Sequence, residues 1–276
     1  MARCLGPAGD ALVRVLIVGE GKSGTTALLR SVADAMGDPE ELFEPRQMTP
    51  EQLTSESLVV KKLLLNWRAN ENDLIDRFDK RIHILRDPRD RLISHLLYDA
   101  YNKGGSLSAD QRQKWLNQLR RKAESPGKIS LLHLINTWWR ISRSDLTSHY
   151  VRALDRSRAF NRRLGDEFHT LLYEDYVDGQ FAGIDEYLGL PLADGVVKDG
   201  ELRVARSGAH GEWRRWFTNV DVKVFRPMTH DWLRKHGYDH RDWEFTKPAE
   251  PLDPATTVEY VEGLFARCPL PETNKA

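Results

Sequence analysis

Apolar positions along this chain alternate between two periods. Leu12-Val13-Arg14-Val15-Leu16-Ile17-Val18 is a nearly continuous apolar run, the pattern of a strand buried on both faces of a parallel sheet. From Thr26 to Met36 the spacing becomes helical, with Ala27, Leu28, Val32 and Ala35 apolar and Gly37 as a stop. Residues 38–56 read as a loop through Pro39 and Pro45, and 57–65 as a second buried strand. A short helix is expected over 74–78, a strand over 81–85, and a helix over 90–101 through Leu92, Ile93, Leu96 and Leu97. Residues 102–128 are polar, basic and interrupted by glycine and proline, and read as an insertion. A long helix is expected over 129–156, a strand over 167–173, a helix over 181–188, a polar loop over 199–212 and a helix over 221–236 before a proline-punctuated tail.

Strands separated by helices predict an α/β fold in three layers, a central parallel sheet flanked by helices. One domain over 12–245 is expected, with the insertion near 102–128 and a tail over 246–276 packed on it or trailing from it. Ligands in such sheets bind at the carboxyl ends of the strands, so the loops after Val18, Leu65, Leu85 and Tyr173 should share a face.

Composition narrows the function classes. The 41 basic and 41 acidic side chains among 276 residues cancel, so no nucleic-acid partner is expected and anion binding must come from local clusters. No apolar run approaches the ~20 residues of a transmembrane helix, and the first residues are too short in apolar length for a signal peptide, so a cytoplasmic location is expected. Cys4 and Cys268 lack metal-ligand spacing, and no metal site is expected.

The densest chemistry lies at 19–29, GEGKSGTTALL, between the first strand and the first helix. A glycine loop there points backbone N–H groups at an anion, and the helix N-terminus adds about half a positive charge, which makes the arrangement P-loop-like. Lys22 contributes a full charge and Ser23, Thr25 and Thr26 contribute hydroxyls around Gly24. The pattern G-x-x-x-x-G-K-[ST] is not met, because Thr25 follows Gly24 and the lysine precedes it by two positions. The string KSGTT instead resembles the 5′-phosphosulfate loop of sulfotransferases.

A second signal is R-x7-S within ILRDPRDRLISHLLY, where Arg86 ends a strand and Ser94 sits about two turns into a helix. Read alone, R-D-P-R-D is more readily a salt-bridged, capped helix start than a phosphate site. In order along the chain the pair is similar to the sulfotransferase 3′-phosphate site. Arg206, Ser207 and Gly208, opening RSGAHGEWR, match that family's C-terminal loop in spacing, with Ser207 where the family has lysine. Tyr173, in LLYEDY, matches the family's Y-E-D segment near the adenine. These motifs cover most of residues 12–240, and the chain is identified as resembling the PAPS-dependent sulfotransferases, PAPS being 3′-phosphoadenosine 5′-phosphosulfate. The resemblance implies PAPS as the sulfuryl donor, a hydroxyl on a carbohydrate, a lipid-linked or another small metabolite as acceptor, and Lys22 at the leaving oxygen.

The resemblance also constrains the base. Cytosolic small-molecule members carry K-T-H where this chain has Lys61-Lys62-Leu63, so that histidine is replaced. Carbohydrate-type and some bacterial members use a glutamate in an E-P turn, matched by Glu44-Pro45, and that branch is favoured. Glu44 is the expected base, as a pocketed carboxylate. Either Lys61 or Lys62 could assist, alternation allowing only one of them to face the site, and alignment favours Lys61. His210 is the alternative proton acceptor, while Trp138 and Trp139 are expected to pack in the core. Two rival readings are a kinase with an atypical phosphate loop and a nucleotide-binding module without catalysis; a base near the transferred group separates an enzyme from a binder.

Overall fold

The computed structural model describes residues 13–192, 209–244 and 250–270. In chain order its main elements are β1 Arg14–Gly19, α1 Thr25–Met36, β2 Glu40–Phe43, β3 Leu58–Leu63, β4 Lys80–Leu85, α2 Pro88–Gly104, α3 Ala109–Glu124, α4 Leu131–Ser142, α5 Leu146–Leu164, β5 His169–Leu172, α6 Tyr173–Val177, α7 Ala182–Leu188, α8 Trp213–Trp216, α9 Asn219–Lys235 and α10 Val258–Ala266. The chain divides into two compact units, one of residues 1–86 and 156–201 and the other of 87–155 and 202–276. None of the described helices is long and apolar enough to cross a membrane.

The first unit carries a five-stranded, wholly parallel sheet in the order β2-β3-β1-β4-β5. Alternation along the strands divides the core between its faces. Val15, Ile17, Val59, Ile82 and Ile84 pack against Leu28, Leu29 and Val32 of α1 and Ile184 and Leu188 of α7. Leu16, Val18, Leu58 and Val60 pack on the other face against Ile75, Phe78 and, from the end of α5, Phe160. The α/β class with a parallel sheet flanked by helices is therefore present. Two local expectations needed correction. Residues 40–43 form edge strand β2, which hides from pattern reading because it is four residues long and mostly exposed. The helix expected near 74–78 is a 3₁₀ run, Ala69–Arg77.

The second unit is helical. The stretch read as an insertion contains α3, a 16-residue helix that buries Trp115, Leu116, Leu119 and Ala123 at helical spacing. Ser108 and Gln111 cap it reciprocally, a start signal that the surrounding polar residues obscured. The long helix expected over 129–156 is interrupted: α4 ends at Arg143, which adopts φ 59°, and α5 restarts at Leu146. Trp138 is fully buried and donates to Asp99 at 2.8 Å, whereas Trp139 is 47% exposed, so only the first is a core residue. The tail contains α10, which Arg112 of α3 anchors by donating to the carbonyls of Phe265 and Cys268.

Lys122 is the pivot of this unit. Its buried ammonium donates to the carbonyls of Pro126, Ile129 and Trp216 at 2.7, 2.6 and 2.5 Å, using all three protons. Burial pushes its pKa down from 10.5 to about 8, and the nearby Asp221 carboxylate opposes the shift. The folded chain thus holds this proton less tightly than the unfolded one. The charged form opposes folding below pH 8, and that opposition fades between pH 8 and about 10.5. Urea unfolding should show wild type gaining up to roughly 3 kcal/mol relative to Lys122→Met between pH 7 and pH 10.5. A constant difference would mean that the three carbonyls hold the ammonium charged throughout.

Candidate functional site

β1 ends at Gly19, and the chain turns into α1 through residues 20–24. The carbonyl of Glu20 accepts both from Ser23 N at 3.2 Å and from Ser23 Oγ at 2.7 Å, which closes the turn. Lys22 and Gly24 adopt φ 71° and 92°. Gly24 is the N-cap of α1; no side chain caps that end and no acid lies in its first turn. The first N–H groups of the 12-residue helix thus keep their electrostatic preference for an anion. Glu20 puts a carboxylate in this loop, and Arg156 neutralises it bidentately, Nε to Oε1 at 3.1 Å and Nη2 to Oε2 at 2.8 Å. Sequence reasoning missed Arg156, which lies 136 positions away and carries no local signal.

Gly24 is also sterically required. A Cβ there would lie 2.5 Å from Tyr173 Cδ2. Tyr173 follows β5 and opens α6, a correction to its expected place inside the strand. The edge of its ring abuts Gly24, and the Arg86 guanidinium lies over the ring, 4.1 Å from the centroid. Arg86 Nη1 donates to the carbonyl of Lys22 at 3.1 Å. Loop, tyrosine and arginine form a stack in which each member fixes the next, and Arg86 is 7% exposed.

The two lysines of β3 part company. Lys61 lies on the α1 face, 3% exposed, and its ammonium meets Thr26 Oγ1 and Glu44 Oε1, both at 2.5 Å. The ring of Phe43, itself 43% exposed, lies 4.1 Å from the same nitrogen. Because Thr26 Oγ1 accepts from Lys61, its own proton remains available to a further acceptor. Glu44 has φ 50° and its N–H donates to Lys61 O at 2.9 Å, so the turn is held to β3 by backbone and side chain alike. Its side chain is 34% exposed and ion-paired, which differs from the desolvated carboxylate that the sequence suggested. The reason is the adjacent strand, which places a buried cation against it. Lys62 points to the opposite face, where it pairs with Glu71.

No protein-family model and no curated protein matches this sequence. Among solved structures, the crystal structure of mouse sulfotransferase SULT7A1 complexed with PAP is similar to this chain, with 14% identity and a TM-score of 0.49 over 82% of this chain and 86% of that one.

The remaining candidates lie elsewhere. Ser94 is buried on α2, in the second unit. Arg206, Ser207 and Gly208 lie outside the described residues. The segment that follows them is secured within the second unit by Asp90, whose carboxylate accepts from Gly211 N at 2.5 Å and Trp213 N at 2.8 Å. His210 is exposed.

Proposed function

We propose that this protein is a sulfotransferase that moves a sulfuryl group from PAPS to an acceptor hydroxyl, with Glu44 as base. The observation that carries the reading is the Glu44–Lys61–Thr26 constellation, which joins a carboxylate, a buried ammonium and a first-turn hydroxyl beside an uncapped helix N-terminus. Bound PAPS supplies an activated sulfuryl group on a leaving phosphate. The loop amides and Lys22 hold the 5′-phosphosulfate and balance charge on the bridging oxygen, while Tyr173 stacks near the adenine. Arg86 recognises the 3′-phosphate, a role that the sulfotransferase resemblance also implies for Ser94 and for residues 206–208.

Glu44 takes the acceptor's proton, a role that contributes about 10²–10⁴-fold. Lys61 orients Glu44, and the Lys22 and Lys61 ammonium groups supply positioned charge, which carries most of the barrier reduction. A carboxylate base favours the carbohydrate-type and bacterial branch, acting without a metal in the cytoplasm on a hydroxyl of a carbohydrate, a lipid-linked or another small metabolite. A kinase has less support, because no lysine follows Gly24 and Arg86 would have no assigned phosphate.

Thermal shift tests the reading. Adenosine 3′,5′-bisphosphate should raise the melting temperature more than AMP or ATP with magnesium at equal concentration, since a ligand at 100 times its Kd adds about 2.7 kcal/mol to the native state. Equal or greater stabilisation by ATP with magnesium would favour the kinase.

A further inference from the structure

One buried ion pair takes no part in the proposed chemistry. Lys62 and Glu71 are both fully buried and meet at 2.7 Å. Burying an ion pair costs several kcal/mol per charge before attraction is counted, and packed apolar residues often serve stability as well or better. The contacts made by this pair show what else it accomplishes. Lys62 Nζ also donates to the carbonyls of Pro45 at 2.9 Å and Arg46 at 3.1 Å. Glu71 Oε1 accepts from Met48 N and Oε2 from Arg68 N, each at 2.7 Å. Three of these four backbone groups belong to residues 45–48, the segment that directly follows Glu44. The fourth ties the pair to the start of the 3₁₀ run.

We infer that Lys62 and Glu71 are positioning residues that fix the Glu44 carboxylate from behind the sheet; the catalytic consequence rests on the proposed role of Glu44. Consecutive residues of one strand point to opposite faces, so Lys61 takes the Glu44 side chain on one face while Lys62 takes the next two carbonyls on the other. Glu44 sits between the two grips in a left-handed conformation that a non-glycine residue adopts only when its surroundings impose it. A single apolar side chain at 62 could fill the space but could not accept this task, because carbonyl oxygens need donors. The glutamate then serves two ends: it neutralises the ammonium and holds Met48, closing the segment from its far side.

The double variant Lys62→Met/Glu71→Gln tests this while avoiding a lone buried charge. Amide hydrogen exchange at Glu44 and Met48 should accelerate by about tenfold or more, with Val59 and Val60 of β3 unchanged as internal references. With PAPS and an accepted hydroxyl compound, kcat should fall by about 10–100-fold through misplacement of the base, and the KM for PAPS should stay within about twofold. A pair that served only packing would move the exchange of β3 with that of the turn and would leave kcat alone. If the double variant does not fold, Lys62→Gln/Glu71→Gln, which keeps polar partners and likewise buries no lone charge, is measured instead and should shift the same readouts in the same direction. Wild-type exchange at Glu44 and Met48, or a wild-type kcat, overturns the inference. Absence of sulfuryl transfer by the wild-type enzyme overturns the proposed function instead, and the exchange result still decides whether the pair fixes the turn.

Discussion

Glu44→Gln is expected to lower turnover by about 10²-fold or more while leaving affinity for adenosine 3′,5′-bisphosphate nearly intact. The amide preserves the side chain's length, and its oxygen can still accept from Lys61 Nζ, which meets Glu44 at 2.5 Å in the wild type. What it cannot do is take a proton from an acceptor hydroxyl. Ligand contacts assigned to the loop, Tyr173 and Arg86 lie between β1 and α1, at the start of α6 and directly after β4, away from the E-P turn, so binding and turnover should separate. Single-turnover transfer rates, paired with a thermal-shift titration, measure both. Wild-type turnover in this variant would remove Glu44 from the mechanism and make His210 the next residue to replace. Loss of ligand binding in parallel with rate would instead show that the carboxylate supports the architecture of the loop.

Gly24→Ala should destabilise the first unit by about 2–5 kcal/mol and abolish measurable anion binding. A left-handed conformation costs a non-glycine residue roughly 1–2 kcal/mol, and Gly24 has φ 92°. Overpacking adds about 1–3 kcal/mol, because the new methyl would lie 2.5 Å from Tyr173 Cδ2 and 3.3 Å from Ile84 Cδ1. The ring has little freedom to yield, since the Arg86 guanidinium lies over it. Gly21→Ala is the matched control: its methyl would meet nothing within 4 Å and should change stability little. Urea unfolding of the two variants side by side gives the comparison. Equal stabilities would mean that Tyr173 shifts freely and that the stack of loop, tyrosine and arginine does not hold the site.

Where structure depends on near neighbours, the residues were a sufficient guide. The apolar run of β1, the glycine turn and the helical spacing of α1 lie within 25 consecutive residues, and each is decided by local conformational preference and period. The alternation of strands and helices led to the parallel sheet in the same way. Elements whose character comes from long-range packing were less legible. β2 is recognisable as a strand only because β3 lies beside it, and α3 is a helix whose exposed polar residues outnumber its buried ones.

The candidate site divides along the same line. Its residue types could be read from short motifs, because a phosphate-binding turn needs glycines and donors close together in sequence. Alternation could establish that Lys61 and Lys62 face opposite sides. Only the tertiary structure decided which face carries α1 and which carries the 3₁₀ run, and hence which lysine meets Glu44 and which meets Glu71. It also brought Arg156 to Glu20 across 136 positions and Tyr173 to Gly24. Local preference determines what each segment becomes, whereas charge pairing and ring contact act through space, so their partners are chosen when the layers close on one another.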